Sequence, residues 1–117
     1  MKQLTEQFAQ SVVRPRARDT YKGSFGKILI VGGNAHFGGA AIMSASAAVY
    51  AGAGLVSVAT DPVNRHALHA RLPEAMILDA TAPELETAVR QATVIVVGPG
   101  LGTDGTALTI LKTVFAR

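Results

Sequence analysis

The sequence contains no cysteine and no tryptophan, and only 5% of its residues are aromatic. Without cysteine, a disulfide framework, a thiolate nucleophile and a cysteine-based zinc site are excluded. No apolar run reaches the roughly 18 residues that a membrane-spanning helix needs. The first residues, MKQLTEQFAQSVV, lack the apolar centre of a signal peptide. We therefore expect a soluble, cytoplasmic protein that has no membrane partner.

Acidic residues are also fewer than basic ones, so the formal net charge is +3. A nucleic-acid-binding surface would combine a basic cluster with aromatic residues or a helical arrangement, and only Tyr21 and Phe25 lie near the basic cluster. We expect a solvated basic segment and no nucleic-acid partner, while a role in binding an anionic ligand stays open. The cluster consists of Arg14, Arg16, Arg18, Lys22 and Lys27.

Hydrophobic residues make up 49% of the chain, and alanine, valine, isoleucine and leucine supply most of them. Apolar runs typical of buried strands alternate with small-residue or amphipathic stretches typical of helices. This order predicts an α/β fold of three layers, α/β/α, with a mostly parallel sheet. We predict strands over 27–32, 55–60, 75–80 and 93–98, and helices over 4–13, 39–50, 62–71, 83–91 and from 106 onward.

Local signals set several helix ends. Asp61 before Pro62 predicts a helix start with a capping side chain and a first-turn proline, and Thr81 before Pro83 predicts the same device. The N-terminal helix places apolar side chains at four-residue steps, so we expect it to be amphipathic.

Two glycine-rich loops follow predicted strands. The first is in IVGGNAHFGGAA, residues 30–41, and the second is in GPGLGTDG, residues 98–105. In a parallel sheet, the loops at the carboxyl ends of the strands are where ligands bind. The first loop has the glycine spacing of a phosphate-binding loop, but Gly39 stands where the lysine would follow. This loop is therefore better suited to a substrate than to a triphosphate.

The second loop also matches the G-x-G-x-x-G pattern of dinucleotide-binding folds. That pattern needs an acidic residue about 20 positions later, which cannot be checked because the sequence ends at Arg117. The alternative that the glycines of both loops only form tight turns and helix caps stays open.

Other candidate functional residues are few. His66 and His69 lie three apart on a predicted helix, but no third zinc ligand is evident, so we interpret them as surface residues. His36 contacts a ligand or fills a turn, Glu74 faces solvent or anchors a loop near the site, and Asp104 caps the last helix or has a role in the site. No Ser-His-Asp set can be argued from spacing.

The chain resembles a known family over roughly residues 18–110. The strings YKGSFGKILIVGGNAHFGGAAIMSASAAVYAGAGLVSVAT, LPEAMI and VIVVGPGLGTDG closely resemble those of the NAD(P)H-hydrate dehydratases, which repair nicotinamide nucleotides and belong to the ribokinase-like superfamily. Their pieces come in the family's order and at about its spacing, which makes the combination specific.

The resemblance implies a reaction and a set of ligands. Hydrated NADH or NADPH (NADHX or NADPHX) is phosphorylated by ADP or ATP, with Mg²⁺, and loss of phosphate restores the nicotinamide ring. It also implies that Gly39, Ala40, Gly100 and Gly102 bind the substrate, so the first loop needs no phosphate-loop lysine. A homo-oligomer and a functional link to an NAD(P)H-hydrate epimerase are implied as well.

The chain departs from the family pattern in three places. Tyr21-Lys22-Gly23 stands where members usually have His-Lys-Gly, and Phe37 stands where a tyrosine is common. The family's G-T-G-D sequence, which carries the catalytic aspartate, is absent, so the catalytic residues are unknown and expected beyond residue 117. We assign no catalytic base among Asp19, Asp61, Asp79 and Asp104.

We therefore interpret residues 1–117 as the N-terminal portion of one ribokinase-like dehydratase domain, incomplete at its C-terminus and inactive alone. Residues 1–20 form an N-terminal helix and a basic lead-in, and the short N-terminus leaves no room for a preceding epimerase domain. The apolar run 93–98 favours a strand with neighbours on both sides. Two alternatives stay open: a ribokinase-like sugar or vitamin kinase, and a non-catalytic nucleotide-binding module.

Overall fold

The computed structural model of the chain describes residues 3–12 and 26–116. Its strands and helices alternate as the sequence predicts. The elements are α1 Glu6–Val12, β1 Lys27–Val31, α2 Gly38–Tyr50, β2 Leu55–Thr60, α3 Arg65–Arg71, β3 Met76–Asp79, α4 Glu84–Gln91, β4 Val94–Val97 and α5 Gly105–Phe115, and the 3₁₀ turn Pro62–Asn64 directly precedes α3. Within the described ranges, every helix is too short or too polar to pass through a bilayer.

The four strands form one parallel sheet in the order β3-β2-β1-β4. β1 pairs with β2 on one side and with β4 on the other, so Val31 lies between Ala59 and Val97. Because all strands are parallel, their carboxyl ends and the loops that follow meet at one edge of the sheet. This arrangement confirms the predicted α/β fold and places both glycine loops at that edge.

Each face of the sheet has its own hydrophobic core. α2 and α3 cover one face, and the buried Ala41 and Ala45 let α2 approach the strands closely. α4 and α5 cover the other face, where leucine and valine side chains dominate. Two helical layers around one sheet confirm the predicted three-layer architecture.

Three local predictions differ from the structure. The N-terminal helix forms over Glu6–Val12, shorter than predicted; Phe8 in it is 37% exposed, and Leu4, which precedes it, is 78% exposed. Asp61 caps the helical segment that begins at Pro62, as predicted, but the first turn of that segment, Pro62–Asn64, is a 3₁₀ turn and not α-helix. Thr81 does not cap α4, because its hydroxyl donates to Asp79 Oδ1 and the residue at the helix start, Pro83, offers no side-chain acceptor.

β4 lies at an edge of the sheet in the described part of the chain, whereas its apolar run favours neighbours on both sides. Val94 and Val96, on the same face of β4, are 49% and 39% exposed. The basic cluster lies outside the described residues apart from Lys27, at the start of β1.

Candidate functional site

The first loop, residues 32–37, connects β1 to α2 and is held directly against the second loop, residues 98–104. The N–H of Gly33 donates to the carbonyl oxygen of Pro99 at 2.8 Å. Gly33 has a positive φ of 76°, a conformation that glycine adopts at little cost. The chain therefore turns sharply at the end of β1 and brings the two loops together.

Asn34 gives the first loop its shape. Its Oδ1 accepts hydrogen bonds from the backbone N–H groups of His36 and Phe37, both at 2.9 Å. Its Nδ2 donates to the carbonyl oxygen of Leu101 at 3.5 Å, in the second loop. An asparagine side chain that accepts hydrogen bonds from backbone N–H groups two and three residues further along the chain stabilises a turn.

Two glycines of the second loop lie against the first loop. Gly100 has φ of 67°, and a Cβ atom there would lie 2.5 Å from the Phe37 carbonyl oxygen and 3.0 Å from the Ala40 Cβ. At Gly102, with φ of 89°, a Cβ atom would lie 2.8 Å from the Asn34 Nδ2. Because Gly100 and Gly102 have no side chains, the second loop leaves room for the first loop.

The structure brings the four predicted substrate-binding residues to one edge of the sheet. Ala40 and Gly100 face each other, Gly102 lies beside Asn34, and Gly39 is exposed with open space where a Cβ would stand. At the start of α2, no side chain caps the helix and the first turn has no acidic residue. The first N–H groups of a helix lack intrahelical partners, and such an end attracts anionic groups. The role of these four predicted residues in binding substrate remains a prediction.

A cleft of about 340 Å³ opens beside the first loop at the same edge. His36 lines it together with three carboxylates from Asp61, Asp79 and Asp104. Each carboxylate accepts a nearby backbone hydrogen bond: from Val63 at 3.0 Å, from Thr81 at 2.8 Å and from Ala107 at 2.9 Å, in that order. The cleft thus presents acceptors that local turns and helix starts already use.

The Asp79 carboxylate accepts two hydrogen bonds from Thr81. Hydrogen bonds from the backbone and then the side chain of Thr81 lower the pKa of Asp79 below its ordinary value, because both stabilise the charged form. The Asp79 carboxylate is therefore charged at neutral pH, and Thr81, two residues after the end of β3, is its hydrogen-bond partner.

Asp104 caps α5, as the sequence predicts. Asp104→Ala is expected to lower the free energy of unfolding by about 1 kcal/mol, because the Ala107 N–H loses its acceptor. Asp104→Asn keeps an acceptor of the same shape and serves as the control. Urea unfolding of both variants measures the difference, and equal losses would show that the charge of Asp104 matters rather than the cap.

The remaining candidate residues from the sequence do not form a site with one another or with the residues at this edge of the sheet. His66, His69 and Glu74 are exposed, which agrees with the surface interpretation of the two histidines and with a solvent-facing carboxylate. Among the described residues, no three histidine, aspartate or glutamate side chains come close enough to hold a metal ion.

Sequence reasoning missed Asn34, Thr60 and Asn64. Thr60 ends β2 and donates its hydroxyl to the Gly33 carbonyl oxygen at 3.1 Å, and Asn64 Nδ2 donates to the Asn34 carbonyl oxygen at 3.1 Å. A polar residue at the end of a largely apolar strand, in which Ser57 is the other polar residue, is the signal that could have indicated Thr60. Nothing local indicates that Asn64 reaches the first loop, because the two are 30 residues apart.

Comparison with known proteins gives concordant results. A family model described as NAD(P)H-hydrate dehydratase matches residues 28–117. ADP-dependent (S)-NAD(P)H-hydrate dehydratases of Lactiplantibacillus plantarum and Enterococcus faecalis are 49% and 47% identical, over 99% and 100% of this chain. The chain spans 42% and 40% of the length of these two relatives.

Solved structures agree with the fold. A ribokinase-like superfamily protein from Enterococcus faecalis superposes with a TM-score of 0.93 and 46% identity, over 97% of this chain and 40% of its own. An ADP/ATP-dependent NAD(P)H-hydrate dehydratase from Bacillus subtilis, co-crystallised with ATP and Mg²⁺, superposes with a TM-score of 0.80 over 97% of this chain and 42% of its own. At 22% identity, this second likeness concerns the fold alone.

Proposed function

The chain belongs to the NAD(P)H-hydrate dehydratase family, whose model matches residues 28–117, and we propose that the whole protein repairs hydrated nicotinamide nucleotides. Its reaction is the ADP- or ATP-dependent dehydration of the S epimer of NADHX or NADPHX. The donor phosphorylates the ring hydroxyl, and the phosphate then leaves with the electrons of its C–O bond while the ring loses a proton. The net products are NAD(P)H, inorganic phosphate and the donor shortened by one phosphate.

The observation that carries this proposal is the start of α2, which no side chain caps and which lies where the first and second loops contact each other. Gly39 is exposed and Ala40 is half-buried in the first turn of α2, at the carboxyl edge of the sheet, and Gly100 closes directly against Ala40. A rigid, uncharged backbone surface of this kind binds the phosphates and ribose of a dinucleotide without a lysine. We assign Gly39, Ala40, Gly100 and Gly102 to this surface.

We place the phosphoryl-transfer chemistry outside these 117 residues. The relatives are more than twice as long as the matched region, since it covers 42% and 40% of them. Within the described ranges, no three histidine, aspartate or glutamate side chains come close enough to hold a metal ion, and we derive no step through Mg²⁺. Residues 1–117 then form the N-terminal portion of one dehydratase domain.

The test begins with the protein at its full encoded length, confirmed by intact mass. We expect NADHX and ADP together to restore the near-ultraviolet absorbance of the reduced nicotinamide, and neither alone to do so. Replacing ADP with ATP determines the donor. Failure to restore absorbance with either donor, for a protein that is folded, would contradict the proposal, and ATP-dependent phosphorylation of a sugar or vitamin instead would favour the kinase alternative.

We also propose that an NAD(P)H-hydrate epimerase is a functional partner, and the same assay tests this. Spontaneously hydrated NADH is a mixture of epimers, so the dehydratase alone should stop when the S epimer is consumed. Added NAD(P)H-hydrate epimerase should then restart the reaction. Light scattering of the full-length protein tests the proposed homo-oligomer.

A further inference from the structure

A buried polar pair lies beneath the first loop. Thr60 is fully buried and Asn64 is 8% exposed, and they are the only buried polar side chains among the residues that the structure describes. Burying a hydroxyl or an amide is unfavourable unless each group finds a hydrogen-bond partner. Apolar residues could fill the same space, so the pair calls for an explanation beyond packing.

The side-chain hydrogen bonds of the pair join the two residues to each other and to the first loop. Asn64 Nδ2 donates to the Thr60 Oγ1 at 3.0 Å and to the Asn34 carbonyl oxygen at 3.1 Å. Thr60 Oγ1 in turn donates to the Gly33 carbonyl oxygen at 3.1 Å. Two successive carbonyl groups of the loop are therefore fixed by side chains of β2 and the 3₁₀ turn.

Asn64 also contacts the other end of the loop. Its Oδ1 lies in the space that a Cβ atom at Gly38 would occupy, at the first residue of α2. One amide side chain thus touches the loop near its beginning and where it enters the helix. Hydrogen bonds in a buried network strengthen one another and allow few alternative arrangements.

We propose that Thr60 and Asn64 are positioning residues, which hold the first loop and the start of α2 in the shape that binds the hydrated dinucleotide. Neither side chain needs to contact the substrate. The inference rests on the proposed function for the identity of the substrate, while the effect on the loop itself follows from the hydrogen bonds alone. Preorganisation of this kind affects substrate binding more than the chemical step.

The test compares three threonine variants of the full-length protein. Thr60→Val keeps the shape and removes the hydroxyl, whereas Thr60→Ser keeps the hydroxyl and removes a methyl group. Thr93→Val is the matched control, because the Thr93 hydroxyl accepts from the Lys27 N–H at the opposite edge of the sheet. Asn64→Asp is a second test, since it replaces the donating amide with an acceptor opposite the Asn34 carbonyl.

We expect Thr60→Val and Asn64→Asp to raise KM for NADHX about tenfold, with kcat and the KM for ADP within about threefold of wild type. Thr60→Ser should retain the wild-type KM even though the lost methyl group lowers its Tm. Thr93→Val should leave both KM values unchanged. A merely structural role would make KM follow Tm across the series, and that result, or unchanged KM in both Thr60→Val and Asn64→Asp, would overturn the proposal.

Amide hydrogen exchange separates this inference from the proposed function. The N–H groups of residues 34–38 should exchange faster in Thr60→Val than in Thr93→Val, whether or not the wild-type protein dehydrates NADHX. Inactive wild type with faster exchange would refute the proposed function and keep the positioning role for the loop. Equal exchange in the two variants would refute the positioning role.

Discussion

Replacing Gly100 with alanine is expected to lower the free energy of unfolding by about 3 kcal/mol. Gly100 has φ of 67°, and this left-handed conformation costs an L-residue about 1–2 kcal/mol. The new Cβ atom would also lie 2.5 Å from the Phe37 carbonyl oxygen, so backbone must move. Overpacking of this kind typically adds about 1–3 kcal/mol.

The matched control is Gly105→Ala, because Gly105 begins α5 and has no atom within 4 Å of the position of its Cβ. We expect its stability to remain within about 0.5 kcal/mol of wild type. Urea unfolding of the full-length protein measures both variants. If Gly100→Ala were as stable as Gly105→Ala, the two loops could not approach as closely as they do here.

The fold was largely predictable because each strand carries a largely apolar run. The run at residues 55–60 predicts β2 without error, β1 ends one residue earlier than predicted, and β3 and β4 are each one residue shorter at both ends. A central parallel strand is covered on both faces, so apolar residues follow one another in its sequence and do not alternate with polar ones. β4 carries the same signal, although its second edge has no partner in the described ranges.

Helix starts were predicted less well, because several local hydrogen-bond acceptors compete for the same groups. Asp104 caps α5 as expected, since it has no stronger rival nearby. Thr81 lies two residues after Asp79. The Asp79 carboxylate accepts hydrogen bonds from the Thr81 backbone N–H at 2.8 Å and from the Thr81 hydroxyl at 2.7 Å. A charged acceptor two residues away outweighs the cap that the sequence pattern predicts.

The location of the candidate site was predictable, but its internal contacts were not. Glycines after two strands indicate two loops at one edge, yet a glycine does not tell whether a ligand or a backbone occupies the space of its missing side chain. At Gly100 and Gly102 the structure shows the other loop in that space. Thr60 and Asn64 could not be linked to this loop from sequence, because only the folded sheet brings β2 beneath it.

Gly39→Asp is expected to change stability and substrate affinity in opposite directions. Gly39 is the second residue of α2, and open space surrounds the position of its Cβ. An aspartate there replaces a poor helix former and interacts favourably with the helix dipole, so the free energy of unfolding should rise by about 1 kcal/mol. If the proposed function holds, the same carboxylate would face the phosphates of a bound dinucleotide, and we expect affinity for NADPH, the stable product of the proposed reaction, to fall about 30-fold.

Gly39→Asn separates charge from shape, since it has nearly the same volume and no charge. It should lose several-fold less affinity than Gly39→Asp, and rising salt should bring the two together as screening weakens the repulsion. Calorimetric titration with NADPH at two ionic strengths, beside urea unfolding, measures both effects. Wild-type affinity in Gly39→Asp would remove Gly39 from the substrate surface, because a carboxylate at the start of α2 could not leave a nearby dinucleotide phosphate unaffected.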